Sequence, residues 1–346
     1  MALPHFLPLS RVPHPSTAPA LRWGVLAPGG IARAFAAAVR ASTRQQLVAV
    51  GSRSQERADA FAAEFGIAAS YSSYEQLVAD PQVQAIYVAS PHSDHLAHAL
   101  LAIRAGKHVL VEKSFARNAA EARRIADAAR EHGVAVMEAM WTRFLPRTDI
   151  VRQLLNDGVL GEIETLIGDH GQSLEHVPRL MKPELAGGAL LDLGIYPVSY
   201  SFFVLGRPRL VRAIGELTPS GVDRQVAATF GGYDEHPHAQ ALVNTTLAAR
   251  TPTAMTIAGS EARIELDGDF YTPGRVRLVS PTGEVVTSPA DDMVGHQALA
   301  YEVAHFAQLV VDGFTESPQL SLDESIEILE VMDDLRRQVG VRYPGE

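Results

Sequence analysis

"RWGVLAPGGIARAFAAAVRAS", residues 22–42, decides how the chain is built. A short apolar strand, "RWGVLA", runs into a turn at Pro28–Gly30. Beyond it Ile31, Ala34, Phe35 and Ala38 recur at helical spacing on one stripe. Strand, glycine turn and helix form the first half of a βαβ unit, and the pattern repeats down the chain. "QLVAVGS" is a strand and "SQERADAFAAEFG" a helix, with Ser54 as its N-cap and Gly66 at its end. A short helix near "SYEQLVA" precedes "VQAIYVAS", an apolar strand whose composition suits burial on both faces. "DHLAHALLAIRAG", "KHVLVEK", "NAAEARRIADAAREHG" and "VAVMEA" continue the alternation, which predicts a parallel sheet with helices on both faces.

After Trp141 the rhythm changes. A helix from Leu145 to Asn156 leads into the strand "EIETLIGDHG", and strand candidates then cluster between Arg209 and Ser288. They are separated by turn signals such as Asp267-Gly268, with little helix between them, so an antiparallel sheet is expected. Two helices close the chain, Gln297 to Val311 and Ser321 to Val339. The fold class is therefore α/β: a Rossmann-type doubly wound parallel sheet, followed by an α+β domain with a large, mainly antiparallel open sheet. The expected division is a flexible leader at 1–20, a dinucleotide-binding domain at 21–145 and a substrate and dimerisation domain at 146–346.

Composition narrows the function. Forty acidic residues against 30 basic give a net charge of -10, which argues against nucleic acid as the main partner. With no cysteine, disulfides, thiolate zinc sites and a cysteine nucleophile are excluded. No continuous apolar run approaches the ~20 residues that span a bilayer. The first twenty residues hold five prolines and one basic residue and lack the apolar segment of a secretory signal. A cytoplasmic location, with no membrane partner, is the expectation.

The turn after the first strand is a degraded dinucleotide fingerprint. In G-x-G-x-x-G/A, Ala27 takes the first place, Gly29 the second and Ala32 the third. Backbone amides at Gly29, Gly30, Ile31 and Ala32 would then face a pyrophosphate; the plain alternative is a tight turn without ligand. Where an NAD-preferring domain places an acid after the second strand, this chain has Ser52 and Arg53, with Arg57 one helical turn on. A hydroxyl and guanidinium groups suit a 2′-phosphate, so NADP is expected ahead of NAD, unless Arg53 is only a solvated loop charge.

Other candidates lie at strand ends. His92, His95 and His98 spread too far around a helix to hold one metal ion. They follow Ser90 and Pro91 at the carboxyl end of a strand, where ligands bind in such sheets; His95 either faces the cofactor or caps the helix. Glu112 and Lys113 end another apolar strand, and a lysine there needs a task or an ion-pair partner. In "GGALLDLGIYPVSY", residues 187–200, Pro197 fits only the first turn of a helix. The helix is therefore expected to begin near Leu193, with Asp192 as N-cap and Tyr196 in the first turn.

With these motifs in view, the chain resembles the glucose-fructose oxidoreductase/inositol dehydrogenase (Gfo/Idh/MocA) superfamily over almost all of residues 21–346. The resemblance rests on the fingerprint at Ala27 to Ala32, "EKS" at 112–114, "EAMWTRF" at 138–144, "AGGALLDLGIYP" at 186–197 and the terminal "RYPGE". It is nearest to the branch of dimeric dihydrodiol dehydrogenases and NADP-dependent D-xylose dehydrogenases. It implies hydride transfer between the nicotinamide and a CH–OH carbon of a sugar, polyol or trans-dihydrodiol, in a homodimer. By position, Tyr196 would be the acid–base, Lys113 would hold it and the substrate oxygen, and Asp192 would orient the pair. A free phenol titrates near 10, so an adjacent ammonium has a physical role in lowering it. Trp141, Arg143 and Phe144 would line the site, Trp141 and Arg143 toward the cofactor, while His176 or Arg179 would reach the substrate. The family's proline after the lysine is Ser114 here; a cis bond before serine costs about 2.5–4 kcal/mol, so either a trans bond with a shifted lysine or a strained exception is expected. The competing functions are glycoside cleavage with tightly held NAD and a non-catalytic NAD(P) sensor. Tyr196 in place of a histidine argues against the first, and the presence of both Lys113 and Tyr196 against the second.

Overall fold

The computed structural model describes residues 3–346. The chain divides into two units built from separated segments. One holds Pro13–Phe144 and Gly295–Leu329; the other holds the residues up to Val12, Leu145–Val294 and Glu330–Glu346.

The first unit alternates β1 (Arg22–Leu26), α1 (Gly30–Ser42), β2 (Gln46–Gly51), α2 (Gln55–Phe65), β3 (Ala69–Tyr71), α3 (Tyr74–Ala79), β4 (Ala85–Val88), α4 (His95–Arg104), β5 (His108–Glu112), α5 (Ala119–His132) and β6 (Val136–Ala139). All six strands are parallel, in the order β3-β2-β1-β4-β5-β6. The order reverses between β1 and β4, the place where a doubly wound sheet opens a crevice beyond its carboxyl ends. Local chemistry sets the helix limits. Ser54 caps α2 through the amide of Arg57 and Gly66 ends it in the left-handed conformation, as the sequence led us to expect. Ser73 and Asn118 cap α3 and α5 in the same way.

Aromatic packing fixes the centre of this unit. Trp23 is fully buried, edge-on to Phe35 at 5.7 Å and tilted against Phe306 at 5.5 Å. Phe35 in turn stacks on Tyr87 at 3.8 Å. Gly24 is forced by this close packing: a Cβ there would lie 2.8 Å from Ile86 and 3.1 Å from Leu77 and Val83.

The second unit carries α6 (Pro146–Asn156), β7 (Ile163–Gly171), a π-helical turn at Leu190–Gly194, α7 (Ile195–Leu205), β8 (Leu210–Leu217), β9 (Asp223–Gly231), β10 (Gln240–Thr246), β11 (Met255–Gly259), β12 (Arg263–Leu266), β13 (Arg277–Val279) and β14 (Val285–Thr287). Its eight strands run β14-β13-β12-β11-β7-β10-β9-β8, antiparallel except for the parallel β7–β10 pair. Val226, Ala228 and Phe230 of β9 are buried on one face. The opposite face is open: Ile167 pairs with Leu242, and both are exposed with Leu210 and Ile214 of β8. Two last helices, α8 (Leu299–Val311) and α9 (Leu322–Val339), follow, and the division between units falls within α9.

Two sequence expectations need correction here. The helix carrying Tyr196 starts about a turn earlier than Leu193, through the π-helical turn, so Asp192 lies inside that turn and is not the N-cap. Pro197 then lies inside the helix, where its missing amide needs a substitute. It cannot donate to the Leu193 carbonyl four residues back, and the Nδ1 of His170 faces that oxygen at 3.2 Å. Second, the segment Pro183–Leu205 is, by length and a mean hydropathy of 1.4, apolar enough to cross a bilayer. However, 94% of that window is buried inside the protein, which marks a core helix. Counting unbroken apolar runs missed it because Asp192 and the serines interrupt the run.

The leader's described residues bury Leu7 and Ala18, and the amide of Arg11 donates to Asp149 at 2.7 Å.

Trp23→Ala should lower stability by about 3–5 kcal/mol, since it empties the centre of the first unit's core. Val311→Ala, at the exposed end of α8, should change it by less than about 0.5 kcal/mol. Denaturant unfolding of both variants measures the contrast.

Candidate functional site

The βα turn after β1 has the features an anionic cofactor needs. Ala27 sits in the left-handed region at φ 67°, so the fingerprint's first place keeps the conformation a glycine would supply although the residue is alanine. Gly29 precedes α1 with no side-chain cap, and the helix's first turn holds no acid. By contrast α2, α3 and α5 are each capped by a side chain and carry a glutamate in the first turn. The α1 start therefore presents backbone N–H groups and a positive dipole end without an internal anion. Nor does internal packing require glycine there: a Cβ on Gly30 would meet nothing within 4 Å, and one on Gly29 only the Ala27 carbonyl at 4.0 Å. Clearance for a ligand brought close to the backbone is a sufficient reason, and the residues present fit the pyrophosphate of a dinucleotide.

At the end of β2, Ser52 is buried while Arg53 and Arg57 are exposed. Burial chiefly raises the pKa of the Tyr74 phenol, and the charges of Arg53 and Arg57 partly offset this. Tyr74 meets the His98 ring edge-on at 4.6 Å, and His98 Nδ1 lies 2.9 Å from the Ser90 hydroxyl. Tyr74 was not singled out in the sequence, since nothing in its spacing marks it.

Beyond β4, with Pro91 half-buried, His95 is fully buried with its two ring nitrogens 2.8 Å from the carbonyl oxygens of Ser90 and Ser114. Neither nitrogen is left for a ligand; the ring ties the turn after β4 to the turn after β5. His92 Nε2 reaches the Lys113 carbonyl at 3.2 Å. The Lys113–Ser114 bond is cis, so the trans alternative for Ser114 does not hold. Beside it, the Tyr87 hydroxyl donates to Glu112, and the Lys113 amide donates to the other Glu112 oxygen at 3.2 Å. Burial, with Glu112 nearby, pushes the Glu302 carboxyl well above its ordinary range. His296 is lowered first by burial and then by the charge of Lys113, and its ring stacks on Trp141 at 5.7 Å. Arg143 is buried, paired with Glu324, and donates to the Gln319 carbonyl at 3.3 Å. Phe144 packs on His305 at 4.7 Å.

In the second unit the helix entrance gathers a set the sequence reading only partly identified. Asp192 is buried and accepts from Arg179 at 3.0 Å. Tyr196, in the first turn of α7, lies against Tyr271 at 4.6 Å and His170 at 5.3 Å, while His170 and Tyr271 stack at 4.4 Å. Gln172 Nε2 reaches both His170 Nε2 at 2.9 Å and the Tyr271 hydroxyl at 3.3 Å. Burial is the main cause that raises the Tyr271 phenol, with Asp269 second. His176 is exposed and takes no part in these contacts. His170 and Gln172, two apart near the end of β7, point to one face by strand alternation; that was the available signal. Tyr271, in the "DGDFYTPG" turn, carried none. Among the described residues no cluster of three or more His, Asp or Glu could hold a metal ion.

Gly30→Val should raise the Michaelis constant for the dinucleotide by about tenfold or more, because the added side chain occupies the approach to the α1 amides. Thermal melting without cofactor should shift little, since no neighbour is crowded.

Comparison with known proteins agrees with this geometry. Residues 21–140 match the family model for the oxidoreductase family with an NAD-binding Rossmann fold, and residues 149–265 match the Gfo/Idh/MocA C-terminal domain. The trans-1,2-dihydrobenzene-1,2-diol dehydrogenase of Macaca fuscata fuscata is 34% identical over 334 residues, covering 94% of this chain and 99% of that one. The Homo sapiens enzyme of the same name is 32% identical over 334 residues, with the same coverage. Among solved structures, a 3-ketoreductase from Actinomadura kijaniata in complex with NADP and TDP-benzene superposes with a TM-score of 0.81 at 26% identity, covering 93% of this chain and 98% of that one. An aldose-aldose oxidoreductase from Caulobacter crescentus shares the fold with a TM-score of 0.83 at 23% identity, over 93% of this chain and 98% of that one. The chain belongs to the Gfo/Idh/MocA family of NAD(P)-dependent oxidoreductases.

Proposed function

We propose that the protein is an NADP-dependent dehydrogenase that moves a hydride between the nicotinamide and a CH–OH carbon of a trans-dihydrodiol, sugar or polyol. Tyr196 is the acid–base, Lys113 its charged partner and Asp192 the residue that orients them. The observation that carries this reading is the helix entrance, where a tyrosine in the first turn of α7 packs against both Tyr271 and His170, themselves stacked on each other, one turn from a buried Asp192. An identity of 34% to a dihydrodiol dehydrogenase, over 94% of the chain, supports the substrate class.

When bound, the nicotinamide supplies the site that accepts or gives the hydride. The chain's own residues do the rest. The amides of Gly29, Gly30, Ile31 and Ala32 hold the pyrophosphate, and Ser52, Arg53 and Arg57 hold the 2′-phosphate. Ser90, Pro91, Glu112, Lys113, Trp141 and Arg143 shape the remainder of the cofactor site, with His95 acting through the backbone it fixes. Tyr196 takes the proton of the reacting hydroxyl on oxidation and returns it on reduction, while the ammonium of Lys113 stabilises the negative charge that develops on oxygen. Phe144, His176 and Arg179 contact the substrate. The same reading places the protein in the cytoplasm as a homodimer, joined through the exposed Ile167, Leu210, Ile214 and Leu242 of the open sheet face.

Arg53→Ala should raise the Michaelis constant for NADP about tenfold or more and leave that for NAD within about twofold, because the guanidinium meets only the extra phosphate. An equal rise for both cofactors removes the 2′-phosphate assignment. Tyr196→Phe should lower turnover by about 10²–10⁴, the usual weight of a positioned acid–base, with cofactor affinity nearly unchanged. Near-normal turnover assigns the proton to another group.

A further inference from the structure

The start of the Tyr196 helix is held from two places far away in sequence. Asp223, the first residue of β9, is fully buried. The Leu190 amide donates to its Oδ2 at 2.5 Å. That amide is the first N–H of the π-helical turn, so Asp223 does what an N-cap side chain does, from thirty-three positions downstream. Gly188 completes the seat. It lies at φ 113°, and a Cβ on it would fall 2.1 Å from Asp223 Oδ1.

The second hold comes from the end of the chain. The Tyr343 hydroxyl donates to the Gly187 carbonyl at 2.7 Å, and both atoms are buried. Burial raises that phenol well above its ordinary range, so it remains a donor at every working pH. Tyr343 is itself fastened: the Arg336 guanidinium lies 4.6 Å over its ring and reaches both oxygens of Glu346 at 3.0 Å. The Tyr343 amide also donates to Glu346 at 3.2 Å. Gly187 has no freedom on its other side, since a Cβ there would lie 2.4 Å from the Leu180 carbonyl.

We propose that Asp223 and Tyr343 are positioning residues for catalysis, which hold the Gly187–Leu190 entrance and thereby set where Asp192 and Tyr196 present their polar ends. The proposal rests on the assignment of Tyr196 as acid–base. Neither residue belongs to the first turn it braces, and neither carries a role in the mechanism above. Burial pushes the Asp223 carboxyl up to about 7. Acid and carboxylate alike keep an oxygen that can accept from Leu190, so an amide side chain can replace it.

The test is steady-state kinetics on Asp223→Ala, Asp223→Asn, Tyr343→Phe and Tyr196→Phe, with the last also combined with Tyr343→Phe. Asp223→Ala should lower kcat more than about tenfold with the Michaelis constant for NADP within about twofold, and Asp223→Asn should recover most of that loss. Tyr343→Phe, which removes one hydroxyl, should lower kcat about three- to tenfold. In the Tyr196→Phe background the Tyr343→Phe effect should vanish, since residues that act through one another are not additive. A kcat for Tyr343→Phe within about 1.5-fold of the unchanged protein overturns the proposal, even if Asp223→Ala fails to fold. So does a full, additive Tyr343→Phe effect without the Tyr196 hydroxyl. Normal turnover of Tyr196→Phe instead overturns the acid–base assignment, and is read separately from the other two.

Discussion

Pro197 has no amide hydrogen, and the helix that carries the proposed acid–base is arranged around that fact. The Leu193 carbonyl loses its α-helical donor and is faced by a ring nitrogen of His170. His170 thereby becomes fixed, and its ring stacks on Tyr271, which lies against Tyr196. One missing backbone donor thus links a π-helical turn, a strand histidine and an aromatic wedge around a single phenol. Replacing a lost main-chain hydrogen bond by a side chain is the ordinary way a buried carbonyl is kept satisfied. Here the replacement also places chemistry.

The first unit solves a different problem, the recognition of a charged dinucleotide by a chain that is itself acidic. Its net charge of -10 offers no general attraction for phosphate. The attraction has to be local, and the fold supplies it at helix α1, whose start is uncapped and free of acid while three other helices of the unit have both. Gly24 is a glycine because Ile86 and Leu77 press on it; Gly30 has no such neighbour. The two glycines look alike in the sequence and have different causes in the structure.

Much of the fold was legible because periodicity is a local property. Alternating strands and helices up to Ala139 and a later run of strands gave the two sheets, and Ser54 and Gly66 marked the limits of α2. The short strands β3 and β14 escaped, being too brief to show a period. The helix entrance was half legible. Pro197 pointed to a helix start near Leu193, but the helical path begins about a turn earlier and carries Asp192 inside it, because a π-helical turn has no sequence period of its own. His170, Tyr271, Asp223 and Tyr343 reach that entrance through tertiary contacts between separated segments, which no local pattern encodes. Likewise, the placement of His95 between two carbonyls depends on neighbouring strands of a parallel sheet. Sequence spacing left its role open between two alternatives, and the structure gives a third.

The central claim is that this chain transfers hydride to NADP from a CH–OH carbon. The most direct measurement is the growth of reduced-nicotinamide absorbance when the purified protein is mixed with NADP and, in turn, trans-dihydrodiols, aldoses and polyols, with NAD run in parallel. The account predicts catalytic turnover with at least one of these classes, faster with NADP than with NAD at equal concentration. Tight NADP binding without turnover on any of them, or a clear preference for NAD, would contradict it.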